Sequence, residues 1–263
     1  MTFEEIRKIE NEAQRVSATY DIFNEETRLH SKATRVEFIT TTHIIERYLK
    51  PNSKIADIGA GAGEYSLHFA AKGHDVTAVE LADANVKAFR AKLQPGMSIN
   101  LYQGNACDLS QFADNSFDAV LVFGPLYHLE NKADRSKCIN EAKRICKDDG
   151  HIFFAFISND MVILTETFCY DAGYLTGSTY NHDTFKVGDF PFVFFTVEQA
   201  REMLESMKIL TEAATDGVSE LLADKINVMD DQSYSQYLKY HLYCCEKPEM
   251  LGRSNHILFA CKK

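Results

Sequence analysis

The stretch IADIGAGAG, residues 55–63, predicts the fold class of this protein. Four mainly apolar residues lead into a glycine-spaced turn, and a run with helical character begins at Glu64. Glycines let the backbone turn sharply and approach a ligand closely at the N-terminus of a helix. The stretch therefore predicts a strand, a turn and a helix, with a ligand site at the turn.

The segments that follow repeat this order of strand and helix. Apolar runs at 55–58, 76–79, 99–102, 119–123 and 152–157 predict strands, and the runs at 64–72, 82–93 and 132–146 predict helices. Unbroken rather than alternating hydrophobicity indicates parallel strands that are covered on both faces. Two later apolar runs, at 209–210 and 257–260, extend the sheet. We therefore expect an α/β fold with a doubly wound, mostly parallel, seven-stranded sheet.

Helical regions precede this sheet, and an irregular region interrupts it. Thr2 and Glu5 form a capping-box pattern, and apolar residues at helical spacing predict one amphipathic helix from there through Val16. A second helix is predicted over 31–49. Residues 158–195 are rich in Phe, Tyr and Thr without a clean period. They predict an insertion after the fifth strand that is either a lid over a site or a decoration of the fold.

Composition and charge narrow the class of ligand. The 263 residues carry a formal net charge of −10 with no run of Lys and Arg, which makes a nucleic acid an unlikely partner. The N-terminus alternates charged and apolar residues, unlike a signal peptide, and the apolar runs are shorter than the ~20 residues that span a bilayer. We therefore expect a cytoplasmic protein with a small-molecule substrate and no membrane contact.

The residue types that bind metals are dispersed. The seven cysteines form no C-x-x-C pair, and the nine histidines form no H-E-x-x-H pair. Cys244 and Cys245 are adjacent, but neighbouring side chains on a helix point in different directions. The sequence therefore predicts neither a disulfide framework nor a metal site.

Three acidic residues separate the ligand classes that use a glycine-rich turn. Glu64 stands where a dinucleotide fingerprint needs a third glycine, and a carboxylate there would repel a pyrophosphate. Asp57 places a second anion at the end of the first strand, which suits a cationic amino-acid ligand better than a phosphate. Glu80 ends the second strand, within reach of a ribose diol. The pattern favours a nucleoside ligand with a cationic group.

These residues resemble motifs I and II of the class I methyltransferases that use S-adenosyl-L-methionine (SAM). The resemblance covers about residues 54–157 and implies a Rossmann-like fold, with SAM as cofactor and S-adenosyl-L-homocysteine as product. It also implies that Gly59, Ala60 and Gly61 lie under the methionine part of SAM and that Glu80 holds both ribose hydroxyls. The cofactor site it implies has these members: Asp57, Gly59, Ala60, Gly61, Glu80, Leu81, Asn105, Ala106, Phe123, Tyr20 and Arg28.

The segment after the third strand departs from this family. An Asp-Ala pair is common there, the acid accepting from the adenine amino group, whereas this chain has Asn105 and Ala106. The side-chain oxygen of Asn105 can still accept that hydrogen bond. Asp108 is a competing candidate.

Candidates for catalysis follow the fourth strand. His128 is the best candidate for a general base, because an imidazole takes up a proton near neutral pH. The alternative is that His128 only hydrogen-bonds the loop. Tyr127 beside it either lines the methyl-transfer pocket or packs. Tyr20 and Arg28 resemble positions that close over SAM, although Arg28 could instead form a surface salt bridge.

More distant aromatic residues are weaker candidates. Tyr174, Tyr180 and His182 lie in the predicted insertion and could contact substrate. His241 and His256 could approach the site, with core packing as the default.

The sequence thus predicts one methyltransferase domain with four parts. They are an N-terminal helical cap (1–52), a cofactor-binding core (53–157), a lid insertion (158–195) and the C-terminal part of the sheet (196–263). The predicted function is methylation of a small molecule on oxygen, nitrogen or sulfur. A SAM-binding sensor or scaffold and an NAD(P)-dependent oxidoreductase are the alternatives. The sequence does not indicate an oligomeric state.

Overall fold

A computed structural model describes residues 1–23, 25–188 and 190–263. Its strands are β1 (Lys54–Ile58), β2 (Asp75–Glu80), β3 (Ile99–Gln103), β4 (Phe117–Val122), β5 (Cys146–Ile157), β6 (Lys208–Ala214) and β7 (His256–Lys262). Within these described ranges they form one seven-stranded sheet in the order β3-β2-β1-β4-β5-β7-β6. The strands β1 to β5 pair in parallel, and β7 runs antiparallel to both of its neighbours. The predicted doubly wound, mostly parallel sheet is confirmed.

Helices cover both faces of the sheet, and three α-helices in the described ranges precede the first strand in the chain. They are α1 (Phe3–Arg7), α2 (Glu12–Tyr20), α3 (Lys32–Glu46), α4 (Glu64–Ala71), α5 (Asp83–Lys92), α6 (Pro125–His128), α7 (Lys132–Ile145), α8 (Asn159–Thr165), α9 (Val197–Met203), α10 (Ala223–Ile226), α11 (Asp231–Cys244) and α12 (Pro248–Leu251). Short 3-10 helices at Glu25–Thr27 and Ala172–Thr176 and a π-helical turn at Glu166–Tyr170 complete the set. None of the helices in the described parts is both long and apolar enough to cross a membrane.

The prediction of one continuous N-terminal helix is wrong. The helix α1 ends at Arg7, and a new helix starts where the side chain of Asn11 accepts a hydrogen bond from the backbone N–H of Gln14 at 3.0 Å. An Asn at this position satisfies one of the free donors of a helix start and competes with helix continuation. The apolar spacing continues across the break between the two helices, but the capping residue Asn11 starts a new helix there.

The sheet core is apolar on both faces. Phe153 and Phe154 are neighbours on β5, and both are fully buried in different hydrophobic clusters. Because successive side chains of a strand point to opposite faces, this burial requires a helical layer on each side. Each such phenylalanine contributes roughly 1.5–3 kcal/mol of hydrophobic stabilisation. Two-sided burial explains why the strands are continuously apolar in sequence.

The carboxyl ends of the parallel strands form the edge on which a ligand site is expected. The antiparallel strand β7 places its first residue, His256, at this same edge, opposite Ile157 at the end of β5. The inserted segment starts here as well, because the backbone N–H of Ser158 donates to the carbonyl of Asn255 and Ser158 forms a bridge with Phe195. The insertion therefore begins and ends over this edge of the sheet.

Candidate functional site

A cavity of about 790 Å³ opens at the carboxyl edge of the sheet. Small-molecule sites commonly measure ~300 to ~1,000 Å³. Its wall contains every predicted site residue except Asp57, and those residues are Tyr20, Arg28, Gly59, Ala60, Gly61, Glu80, Leu81, Asn105, Ala106, Phe123, Tyr127 and His128. Residues that are far apart in the sequence and were assigned to one site thus lie on one surface.

The glycine turn after β1 has a backbone shape that other residues do not tolerate. Gly59 has φ +80° and Gly63 has φ +90°, in the left-handed region that favours glycine. A Cβ at Gly59 would lie 2.6 Å from Pro125 Cδ, and a Cβ at Gly63 would lie 2.4 Å from Phe89 Cδ2. Gly59 and Gly63 therefore both occupy positions where the backbone conformation and a close neighbour favour the absence of a side chain.

Glu80 is tied to this turn through its carboxylate. Its Oε2 accepts from the backbone N–H of Gly61 at 2.8 Å, and its Oε1 accepts from the N–H of Ala82 at 2.8 Å. Burial raises the pKa of Glu80, while these backbone hydrogen bonds oppose the rise. A carboxylate oxygen has two lone pairs, so Oε2 can accept another hydrogen bond from a ligand hydroxyl.

Asp57 lies beneath the turn rather than on the cavity wall, unlike the position expected for a residue that contacts the ligand. Its Oδ2 accepts from the hydroxyl of Ser66 at 2.6 Å, which ties β1 to α4. The Oδ1 atom is buried and has no hydrogen-bond partner in the described part of the chain. Burial raises the pKa of this carboxyl to about 6. Asp57 therefore supports the turn from behind.

Asn105 reaches the cavity wall but uses its side chain locally. Its Oδ1 accepts from the backbone N–H of Cys107 at 2.9 Å, the contact of an Asx-turn. The second lone pair of this oxygen remains for a ligand amino group. Asp108, the competing candidate, is exposed and bonds the N–H of Ser110, and it does not belong to the cavity wall. Of the two, Asn105 is the residue that lies on the cavity wall.

The predicted base His128 has its Nε2 engaged. This atom lies 2.7 Å from the hydroxyl of Tyr20 in a hydrogen bond, and the two rings contact edge to face. Burial lowers the pKa of His128 to about 4. Burial also raises the pKa of the neighbouring Tyr127. The imidazole is therefore neutral at pH 7 and a weak proton acceptor.

Arg28 lies on the cavity wall, where its partly exposed side chain forms salt bridges. Its guanidinium forms a two-pronged ion pair with Glu37, at 2.7 and 3.2 Å, and a third contact with Glu25 at 2.8 Å. Two carboxylates thus hold one cation in a fixed orientation at the cavity.

The structure adds a cluster that the sequence analysis did not assign. His256 Nδ1 lies 2.8 Å from Asp216 Oδ2 and 3.5 Å from Glu37 Oε2. All three residues line the cavity. Asp216 is held in turn by the hydroxyl of Ser254 and by the backbone N–H of His256.

The charges in this cluster set the protonation of the imidazole. Burial lowers the pKa of His256, but the carboxylates of Glu37 and Asp216 outweigh burial and raise it to about 9. His256 lines the cavity rather than packing in the core, which was the default for this histidine. A usable signal existed, because the first residue of a closing antiparallel strand lies at the carboxyl edge of its parallel neighbours.

The same three side chains bear on the prediction that no metal site exists. Their ligand atoms lie within 4.8 Å of one another, the one such grouping found among the residues that the structure describes. Arg28 already occupies both oxygens of Glu37, and Asp216 binds the protonated Nδ1 of His256. The carboxylates of Glu37 and Asp216 are thus already engaged by the side chains of Arg28 and His256.

The remaining aromatic candidates lie away from the cavity wall. In the insertion, the ring of Tyr180 stacks on Tyr174 at 5.7 Å and on His182 at 4.8 Å. His241 is buried, with Nε2 at 3.1 Å from the carbonyl of Thr215. The insertion contributes other aromatic residues to the wall, namely Tyr170, Phe192 and Phe194.

Comparisons with known proteins agree with this architecture. Residues 56–154 match a family described as "Methyltransferase domain". The ubiquinone biosynthesis O-methyltransferase of Pseudomonas syringae pv. tomato is 30% identical over 118 residues, which are 44% of this chain and 50% of that protein. The chain thus matches about half the length of this curated relative.

Solved structures share the fold across nearly the whole chain. A SAM-dependent methyltransferase from Methanosarcina mazei superposes with a TM-score of 0.56 at 19% identity and covers 84% of this chain and 96% of its own. The cyclase SpnF superposes with a TM-score of 0.59 at 16% identity, covering 95% and 96%. At these identities the likeness establishes the fold alone.

Proposed function

We propose that this protein, which belongs to the class I SAM-dependent methyltransferases through the domain at residues 56–154, transfers the methyl group of SAM to a small-molecule acceptor. One observation carries the proposal. The carboxylate of Glu80 and the side-chain-free turn at Gly59 and Gly61 face the same cavity, joined by the hydrogen bond from Gly61 to Glu80.

The residues present fit SAM as a ligand. The turn leaves a cradle that a Cβ at Gly59 would close, and Glu80 retains acceptor capacity for a ribose hydroxyl. Asn105 and Ala106 stand on the wall where an adenine ring would be held, and Tyr20 closes the cavity from the N-terminal side. Glu64 in place of the fingerprint glycine disfavours a pyrophosphate ligand.

SAM, when bound, supplies a methyl group that is already activated by the sulfonium charge. The chain then has to orient the acceptor about 3 Å from that carbon, exclude water and accept a proton if the acceptor carries one. The cavity wall combines aromatic rings with carboxylates, and the carboxylates suit the positive charge of a sulfonium. These residues position two small molecules rather than form a covalent intermediate.

A SAM-binding sensor or scaffold is the second candidate. The fold is shared with a protein named a cyclase, SpnF, so the fold by itself does not establish methyl transfer. The NAD(P)-dependent alternative is disfavoured by Glu64 and by the shape of the turn.

Calorimetric titration with SAM, S-adenosylhomocysteine and NAD tests the cofactor. We expect saturable binding of both sulfur compounds, no binding of NAD, and at least a 100-fold loss of SAM affinity in Glu80→Ala, since a charged hydrogen-bond acceptor contributes roughly 1.5–3 kcal/mol per bond. Glu205→Ala, at an exposed carboxylate outside the cavity, is the matched control. Binding of NAD without SAM would overturn the proposal.

A further inference from the structure

We propose that His256, oriented by Asp216, is the general base that removes the proton of the acceptor, and that this acceptor is a phenol. The inference deepens the proposed function and rests on it. It assigns the proton transfer to a residue at the far end of the cavity from the glycine turn.

The position of His256 suits contact with an acceptor. The strands β4, β5 and β7 are consecutive in the sheet, and neighbouring strands lie ~4.8 Å apart. His256 therefore lies roughly 10 Å across the edge from the end of β4, two strand spacings away. Phe123 and Gly124 line the same cavity as His256, and Gly124 lies beside the glycine turn.

The hydrogen bonds of His256 leave one ring nitrogen for the acceptor. Nδ1 is taken by Asp216, which is itself fixed by Ser254 and by the backbone N–H of His256. No residue in the described ranges bonds to Nε2, and the imidazole lines the cavity. An imidazole held through Nδ1 by a carboxylate, with Nε2 free, is the arrangement of a general base.

His128 provides the contrast within the same cavity. Its Nε2 is already hydrogen-bonded to Tyr20, no carboxylate in the described ranges bonds to the ring, and burial lowers its pKa to about 4. A phenol has a pKa of about 10, so proton transfer to His128 would be uphill by roughly six pKa units. The pKa of His256 is raised to about 9, close to that of a phenol, so its Nε2 becomes free to accept a phenolic proton as the pH rises toward 9.

The charged groups that face His256 stabilise its protonated form. Asp216 contacts Nδ1 from the segment after β6, and Glu37 lies 3.5 Å away on α3. Arg28, paired with Glu37, opposes this effect from the N-terminal segment. Glu220 also lines the cavity, and its carboxylate accepts a hydrogen bond from the side chain of Asn255. After proton transfer the imidazolium is balanced by two carboxylates.

The proton affinity of His256 and the residue types of the cavity wall together indicate the class of the acceptor. A phenolic hydroxyl, with a pKa of about 10, is far more acidic than an aliphatic one, so its proton passes more readily to an imidazole, and a carboxylic acid is ionised without a base. The cavity wall holds aromatic rings of Tyr127, Phe192 and Phe194, which favour a planar aromatic ligand. A phenolic hydroxyl satisfies both requirements.

The step balances as follows in atoms and charge. The phenolic O–H bond breaks and its proton passes to Nε2 of His256. The oxygen lone pair forms the bond to the methyl carbon while the carbon–sulfur bond of SAM breaks. The products are the methyl ether, neutral S-adenosylhomocysteine and protonated His256, which then releases its proton to solvent.

The first test is independent of turnover. Histidine ring signals are followed by NMR against pH in the whole protein, with His256→Gln identifying the His256 signal. We expect His256 to titrate near 9 and to shift down by at least one pH unit in Asp216→Asn. A titration near the ordinary value, or no shift in Asp216→Asn, would overturn the base assignment.

The second test uses phenol, catechol and 4-nitrophenol as acceptors with radiolabelled SAM. We expect His256→Gln to lower kcat 100-fold or more with SAM affinity unchanged, because a general base contributes ~10² to ~10⁴ in rate. The wild-type rate should rise with pH toward 9, and His256→Gln should lose this rise. His43→Gln, at an exposed histidine on α3, should leave kcat unchanged.

The outcomes separate the two proposals. Undiminished turnover in a folded His256→Gln sinks the base, and SAM binding without methylation of any of the three phenols sinks the acceptor class. Failure to bind SAM at all overturns the proposed function and this inference with it. Asp216→Asn serves as the second variant if His256→Gln does not fold, and it should reproduce the kcat loss in part.

Discussion

The two ends of the cavity are built in different ways. At the cofactor end, the turn from Gly59 to Gly63 and the carboxylate of Glu80 come from adjacent strands and are joined by a backbone hydrogen bond. At the far end, Glu37 on α3 meets Asp216 and His256, which come from the last part of the chain. The first end depends on the shape of the backbone, and the second depends on charges that balance one another.

This difference predicts different responses to mutation. The cofactor end of the cavity is disrupted when a side chain is added to its turn. A Cβ at Gly63 would lie 2.4 Å from the buried ring of Phe89, so the surrounding atoms would have to shift. A charge-balanced site keeps its shape and changes its protonation instead. Three variants test this contrast, and the expected effects decrease from the first to the last.

Gly63→Ala should have the largest effect. It places a Cβ against Phe89 at a residue with φ +90°, so crowding of roughly 1–3 kcal/mol adds to roughly 1–2 kcal/mol of backbone strain. Urea unfolding should show a loss of about 2–5 kcal/mol in the free energy of unfolding.

Gly96→Ala is the matched control for this variant. Gly96 has the same φ of +90°, and a Cβ there would meet nothing within 4 Å. Only the strain remains, so we expect a loss of about 1–2 kcal/mol. Equal losses in the two variants would show that the close approach to Phe89 contributes nothing.

His256→Gln should change how stability depends on pH. The folded pKa, about 9, is above the ordinary value of 6.5, so the stabilising contribution is fully present below pH 6.5 and is lost as pH rises through 9. The shift corresponds to ~3 kcal/mol. Urea unfolding at pH 6 and pH 10 should therefore show the stability of wild type relative to His256→Gln falling by about this amount.

A constant difference between the two proteins across this range would contradict the prediction. It would mean that Glu37 and Asp216 do not hold a proton on His256. The far end of the cavity would then not be a site that depends on balanced charges.

Asn105→Ala should have the smallest effect. It removes the hydrogen bond to Cys107 N–H and the side-chain oxygen offered to the cofactor, at a cost of about 1 kcal/mol, or roughly fivefold in SAM affinity. Calorimetry measures this loss. Asn105→Asp keeps the acceptor and should bind SAM within about twofold of wild type. Unchanged affinity in Asn105→Ala would remove Asn105 from the site.

Much of the fold was readable from hydrophobic period alone. The five parallel strands and the helices between them follow from the apolar runs of the sequence. The N-terminal helix was misjudged because apolar spacing does not reveal that Asn11 begins a second helix. The four-part division of the chain and the lid role of residues 158–195 stay predictions.

Some residues of the candidate site could likewise be predicted from the sequence, and others could not. Motif spacing located Gly59, Gly61 and Glu80 because their roles depend on local backbone shape, which a short stretch determines. It did not decide the direction of Asp57, since a strand-end carboxylate can face a ligand or a neighbouring helix, and here it bonds Ser66 on α4. It favoured His128 over His256 as the base, since no motif marks His256 and the groups around it come from distant segments.

The sequence by itself determined the parallel sheet, the glycine turn and the carboxylate beside it, because hydrophobic period and glycine conformation act over a few residues. Only the tertiary structure decided which histidine is basic. Burial and the approach of Glu37 and Asp216 from distant segments set the pKa values of about 4 for His128 and about 9 for His256. Such electrostatic effects depend on distances in space, which are not written in the order of residues along the chain.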